Sequence, residues 1–170
     1  MMKSRSKQFD RADRDLHRIS VCYIILVLIA VIPHGGVTQV SDEITQTARG
    51  TSDVEDFIKE YFDIWSSGDM EQYRLMFHEN ARIMMSINGR IYLSLGRDEF
   101  VDMQARELAR RSMIEHMTDL KVHVDSRAAT ATAAWLLDDQ GTFTTGIDRF
   151  TLIRDEQGNW KIIFLLFYND

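Results

Sequence analysis

From residue 113 onward the chain offers four runs in which apolar and polar residues alternate, at 113–125, 128–138, 142–154 and 159–168. The breaks between them are short and made of turn formers: Ser126-Arg127, "DDQG" and "DEQGN". Alternation of period two over that many residues marks strands with one buried face. Connections this short join antiparallel neighbours, because a parallel return needs a long crossover. The C-terminal half is therefore expected to be a meander, and the residues before it must supply the layer that covers its apolar face.

Those residues read as helices and one hairpin. In "TSDVEDFIKEYFDIWSSGD" the apolar positions Val54, Phe57, Ile58, Tyr61, Phe62 and Trp65 recur at spacings of three and four, one stripe of a helix. Ser52 or Asp53 is placed to cap it and Gly68 to stop it. Asp69 with Gln72 resembles a capping box for a short second helix through Phe77. "ARIMMSI" and "RIYLSL" flank Asn88-Gly89, a two-residue hairpin signal. A third helix over 99–111 follows, with Asp98 as its cap. The order helix, helix, hairpin, helix, four-stranded meander implies an α+β domain, a curved antiparallel sheet wrapped around helices. The last strand, "WKIIFLLFYND", is apolar on both faces, and a strand of that kind needs a cover on its outer side. Ile163, Leu165 and Phe167 with Leu136 are expected to form a homodimer surface; the alternative is that the N-terminal segment covers that face.

The N-terminus is of a different character. Residues 1–18 carry six basic and three acidic side chains, +3 in a chain whose net charge is −6. Residues 19–33 contain the apolar run "VCYIILVLIAVI", and residues 34–50 are polar and punctuated by glycine, a linker. A basic start followed by a short apolar run is the pattern of an export signal or an N-terminal anchor. The protein is thus expected to be secreted or periplasmic, touching a membrane only through this segment, with its folded domain over 51–170. The acidic balance and the lack of a basic stripe in the domain argue against nucleic acid as a partner. Cys22 is the single cysteine, which removes disulfides and cysteine-based metal sites.

The inward faces of the strands suggest a site. Asp148 alternates in phase with Phe150 and Leu152, so a carboxyl is aimed into an apolar face, where it must be paired or protonated. Alternation places His116 in phase with Leu120, Val122 and Val124, and Tyr61 lies on the apolar stripe of the first helix. Each reading has a plain rival: an arginine partner for Asp148, a backbone-bonded core histidine for His116, a core tyrosine for Tyr61. Together the three converge on one cavity, which favours a pocket for a small apolar molecule. Phe62, Trp65, Ile83, Met85, Ile87, Phe100, Leu120 and Phe150 are its expected lining. No phosphate loop, dinucleotide motif or histidine pair at metal-binding spacing occurs, so no cofactor and no metal is expected.

"EYFDIWSSGDMEQYRLMFHENARIMMS", "GRDEFVDM" and "TGIDRFTLIRDEQGNWKI" together resemble the SnoaL-like branch of the nuclear transport factor 2-like superfamily, over about residues 52–168. The resemblance implies a cone-shaped, cystatin-like α+β roll with a pocket at its open end. It implies relatives among polyketide cyclases, ketosteroid isomerases and scytalone dehydratases, and many without known catalysis. Tyr61 matches the isomerases' oxyanion-hole tyrosine. Asp148 matches their aspartic acid, which stays protonated so as to donate a hydrogen bond. His116 is similar to a histidine of the dehydratases, and Met85 stands where the isomerases have their base. The resemblance thus implies either an isomerase, cyclase or dehydratase acting on an apolar carbonyl compound, with His116 as base, or a non-catalytic dimeric ligand-binding or protein-interaction module.

Overall fold

The computed structural model describes residues 38–125 and 127–169, with side chains from residue 49 onward. The basic start, the apolar run and Cys22 lie outside the described residues. The elements in chain order are α1 (Thr38–Ser67), α2 (Met70–Leu75), β1 (Phe77–Ile87), β2 (Arg90–Gly96), α3 (Arg97–Leu108), β3 (Met113–Val124), β4 (Ala128–Asp139), β5 (Thr142–Arg154) and β6 (Trp160–Asn169). The six strands form one sheet in the order β2-β1-β6-β5-β4-β3. β3 to β6 make the expected meander. β1 then pairs with β6 in parallel, so the sheet is mixed at that one junction and antiparallel elsewhere. The parallel pairing is possible because the whole chain from β2 to β5 lies between the two strands in sequence.

α1 begins well before the expected cap at Ser52 or Asp53, and residues 38–50, read as linker, are helical. Gly50 suggested a break, but it serves a close approach: a Cβ there would stand 3.3 Å from Val124 Cγ1 at the end of β3. From that point the stripe Val54, Ile58, Tyr61, Phe62 and Trp65 is buried against the sheet. Each such side chain contributes about 1.5–3 kcal/mol of burial, which fixes the helix against the strands. Gly68, at φ +77, ends α1, and Asp69 Oδ1 caps α2 by accepting from Gln72 N at 3.1 Å. α3 is capped at Gly96, two residues before the expected Asp98. Glu99 bonds back to the Gly96 amide at 3.3 Å, while Asp98 is drawn to Arg74 and Arg97 at 2.7 and 2.8 Å.

Two β-bulges decide which side chains face inward. In β3 the register steps from Met117↔Trp135 to Asp119↔Ala134, leaving Thr118 as an extra residue. In β6 it steps from Leu152↔Ile162 to Thr151↔Phe164, leaving Ile163 extra. One extra residue reverses the phase of everything beyond it. Leu165 is therefore 0% exposed in the core and Phe167 packs on Phe100, with ring centroids 6.0 Å apart. This corrects the expected outer surface of β6: alternation from Leu165 places Phe164, Leu166 and Tyr168, all half-buried, on the outer side.

Candidate functional site

The pairing registers give the inner face of the sheet as rows. Val124, Ala129, Leu152 and Ile162 align at one end, followed by Val122, Ala131, Phe150, Leu165 and Ile83. The next row is Leu120, Ala133, Asp148, Phe167 and Met85. Then come Met117, Trp135 and Gly146, next Glu115, Leu137 and Thr144, and last Met113, Asp139 and Thr142. Phe150, Leu152, Ile162 and Leu165 are buried, whereas Glu115, Leu137 and Thr144 are half-buried. The inner face is thus fully buried at the first end and less so at the Glu115 row, beyond which Met113 is buried again.

Asp148 sits mid-way, 4% exposed, and among the described residues no cation stands beside it. Its Oδ1 accepts a 2.7 Å hydrogen bond from Trp135 Nε1. That contact depends on Gly146, which faces Trp135 across the strands. A Cβ on Gly146 would stand 2.1 Å from Trp135 Cζ2 and 2.5 Å from the Tyr168 carbonyl oxygen, so the indole lies over a bare Cα to reach the acid two residues on. On the helical side Tyr73 donates to the Tyr61 hydroxyl at 2.7 Å, and both rings are buried. Tyr61 packs edge-on against Phe150, 5.0 Å between centroids.

Electrostatics follow from burial. Loss of water pushes the Asp148 carboxyl up to about 7, against the downward pull of hydrogen bonds from Trp135 and Tyr61. Burial also pushes Tyr61 and Tyr73 well above the usual phenol range, so both remain neutral donors. Glu115 is held well above the ordinary carboxyl range, first by burial and then by the charge of Asp148. At neutral pH the interior therefore holds two carboxyls of which at least one tends to keep its proton.

The structure brings Tyr61 and Asp148 together and leaves His116 out. His116 is exposed on the outer face, opposite Leu136. The expectation that it faces inward fails because alternation was carried from Leu120 back through Thr118, where the bulge inverts it; Glu115 takes the inner position. Of the expected lining, Phe62, Trp65, Ile83, Phe100 and Phe150 are packed core. Met85 and Leu120 are half-buried in the Asp148 row, and Ile87, 42% exposed, lies beyond the core at the hairpin end. Trp65 reaches α3 through Nε1 to Gln104 Oε1 at 3.1 Å. A surface cleft of about 490 Å³ lies elsewhere, between α1, α2 and the β5–β6 turn, lined by Phe57, Leu75, Arg154 and Trp160 among others. Among the described residues no cluster of His, Cys, Asp and Glu is placed to hold a metal ion.

Tyr73, Trp135, Gly146 and Glu115 escape the reading of the sequence. Trp135 had a signal: it ends the inward row Ala129, Ala131, Ala133, where one large ring follows three methyl groups.

Residues 49–168, nearly the whole of the described domain, match the model of a family described as putative lumazine-binding. The chain belongs to this family. The buried acid and its tyrosine pair are thus features of one putative lumazine-binding domain, and its fold is that of the nuclear transport factor 2-like superfamily. An NTF2-like protein with a cystatin-like fold from Novosphingobium aromaticivorans superposes with a TM-score of 0.64 at 17% identity, over 81% of this chain and 92% of that one. A putative scytalone dehydratase from the same organism gives 0.59 at 14% identity, over 78% and 88%. ActVI-ORFA from Streptomyces coelicolor gives 0.58 at 15%, over 70% and 96%. At such identities the likeness is one of fold. No curated protein matches the chain in sequence.

Proposed function

We propose that the domain binds a small, largely apolar molecule through a carbonyl oxygen, which accepts a hydrogen bond from the protonated carboxyl of Asp148. The observation that carries this reading is a buried acid whose partners among the described residues are neutral: Trp135 Nε1 occupies Oδ1, and no arginine or lysine of those residues neutralises the group. Such an acid is costly as structure and useful as a donor in an apolar site. The half-buried row of Glu115, Leu137 and Thr144 is the way in. The family's description and the dehydratase-named fold relative agree with a ligand-binding interior.

A catalytic form of the reading, an isomerase, cyclase or dehydratase, would use Tyr61 and Asp148 to polarise the ligand oxygen. The two bases the resemblance implies are not in place, since Met85 stands at the matched position and His116 lies on the outer face. Binding without turnover is the form adopted. The apolar outer sheet face supports a homodimer, and the basic start with its apolar run supports export.

Coumarin, a planar lactone whose fluorescence reports its surroundings, tests the reading. Its affinity should fall as pH rises through about 7, where Asp148 loses its proton. Asp148→Asn, which keeps a donor, should bind with a flat pH profile, and Asp148→Leu should not bind. Equal affinity in all three proteins would refute the role of the acid.

A further inference from the structure

Glu115 is a carboxyl without a task in the fold. Its backbone is clamped: Ser66 Oγ accepts from its amide at 2.9 Å and donates to its carbonyl at 3.2 Å, tying the start of β3 to the end of α1. The bulge at Thr118 then fixes the side chain on the inner face, one row beyond Trp135 and on the open side of Asp148. Among the described residues no group donates a hydrogen bond to its carboxyl, although it is half-buried beside Met117 and Leu137. A rigid backbone presenting an acceptor unpaired within the protein beside an apolar interior is the arrangement of a recognition group, because a ligand that takes the place of its water without supplying a donor leaves it unpaired.

We propose that Glu115 is a specificity-determining residue of the interior site: it accepts a hydrogen bond from an O–H or N–H on the ligand, at the end away from the carbonyl held by Asp148. The proposal rests on the binding reading given above and narrows it. The ligand class becomes a neutral, flat, apolar molecule with a carbonyl deep in the site and a donor toward the mouth. A donor satisfies Glu115, whereas an ether or a bare ring at that end leaves it stripped of water.

The two statements separate with three probes: coumarin, 7-methoxycoumarin and 7-hydroxycoumarin, titrated at pH 6, where the last is neutral. Wild type should bind 7-hydroxycoumarin about fivefold more tightly than the methoxy compound, as a hydrogen bond between neutral groups provides. Glu115→Leu should bind both alike, with the methoxy compound no weaker than in wild type. Its thermal midpoint should not fall, since no contact within the protein depends on the carboxyl, and Glu115→Gln serves as an isosteric second variant with a weakened preference. If wild type binds both compounds equally, or Glu115→Leu keeps the preference, the role of Glu115 is overturned while the carbonyl-binding reading stands. If wild type binds none of the three, that reading falls and this one with it.

Discussion

Replacing Asp148 with Asn should stabilise the protein at alkaline pH. The carboxyl titrates near 3.8 in an unfolded chain and near 7 when folded. Below 3.8 it is protonated in both states and contributes nothing. Between the two values the folded state holds a proton that the unfolded state has released, so stability falls as pH rises. Above 7 the folded state must bury the charge, at a cost of about 4 kcal/mol for a shift of about 3 units. Asn is isosteric, still accepts from Trp135 Nε1, and never ionises. The variant should therefore gain up to that amount over wild type at pH 9 and match it near pH 4. Its slope between pH 5 and 8 should be shallower, with Glu115 responsible for what remains, because burial alone already raises that group. Urea unfolding across this window is the assay. It avoids the region below pH 4, where Asp98, Asp125 and Asp155, all held low by hydrogen bonds, lose stabilisation on protonation. A variant less stable than wild type at pH 9 would show that Asp148 is ionised and paired, and would refute the argument from burial.

Other consequences are open to direct measurement. Gly146→Ala should cost about 2–6 kcal/mol, the sum of overpacking and the broken Trp135–Asp148 bond, with a change in tryptophan emission; a neutral substitution would mean the indole does not lie over residue 146. Tyr73→Phe should cost about 1 kcal/mol, whereas Tyr61→Phe should also raise the Asp148 pKa because it removes a donor; carboxyl titration by NMR distinguishes them. If the outer face of β6 joins two copies, Leu166→Lys should give soluble monomers by sedimentation and Leu165→Lys should unfold the domain; a monomeric wild type at micromolar concentration would end that idea. Residues 1–40 fused to a reporter active only outside the cytoplasm should give signal, and a silent, abundant fusion would exclude export.

How far the sequence disclosed this molecule depends on phase. The elements were legible because their signals are local: the Asn88-Gly89 turn, the spacing of α1, the polar breaks around β4 and β5. Asp148 was legible because β5 pairs with β4 without interruption from Thr142 to Ile153. His116 and the outer face of β6 were misread for one shared reason. A bulge leaves no mark in a single strand's alternation when the residue inserted, Thr118 or Ile163, suits a strand as well as its neighbours do. The parallel pairing of β1 with β6 was also hidden, since it joins residues far apart and is set by closure of the sheet. Tyr73 and Glu115 were missed because each needs a partner on another element to give it meaning.

The extra residue at Thr118 bears on how this interior can change. Odd and even positions at the start of β3 hold two alternative inventories, Glu115 with Met117 and Ile114 with His116, and the bulge selects which is turned inward. Losing one residue there would exchange a carboxyl for an imidazole next to the same buried acid, with no side chain altered and the rest of the sheet in register. The strand thus carries a second set of side chains on its reverse face, one deletion away from the interior.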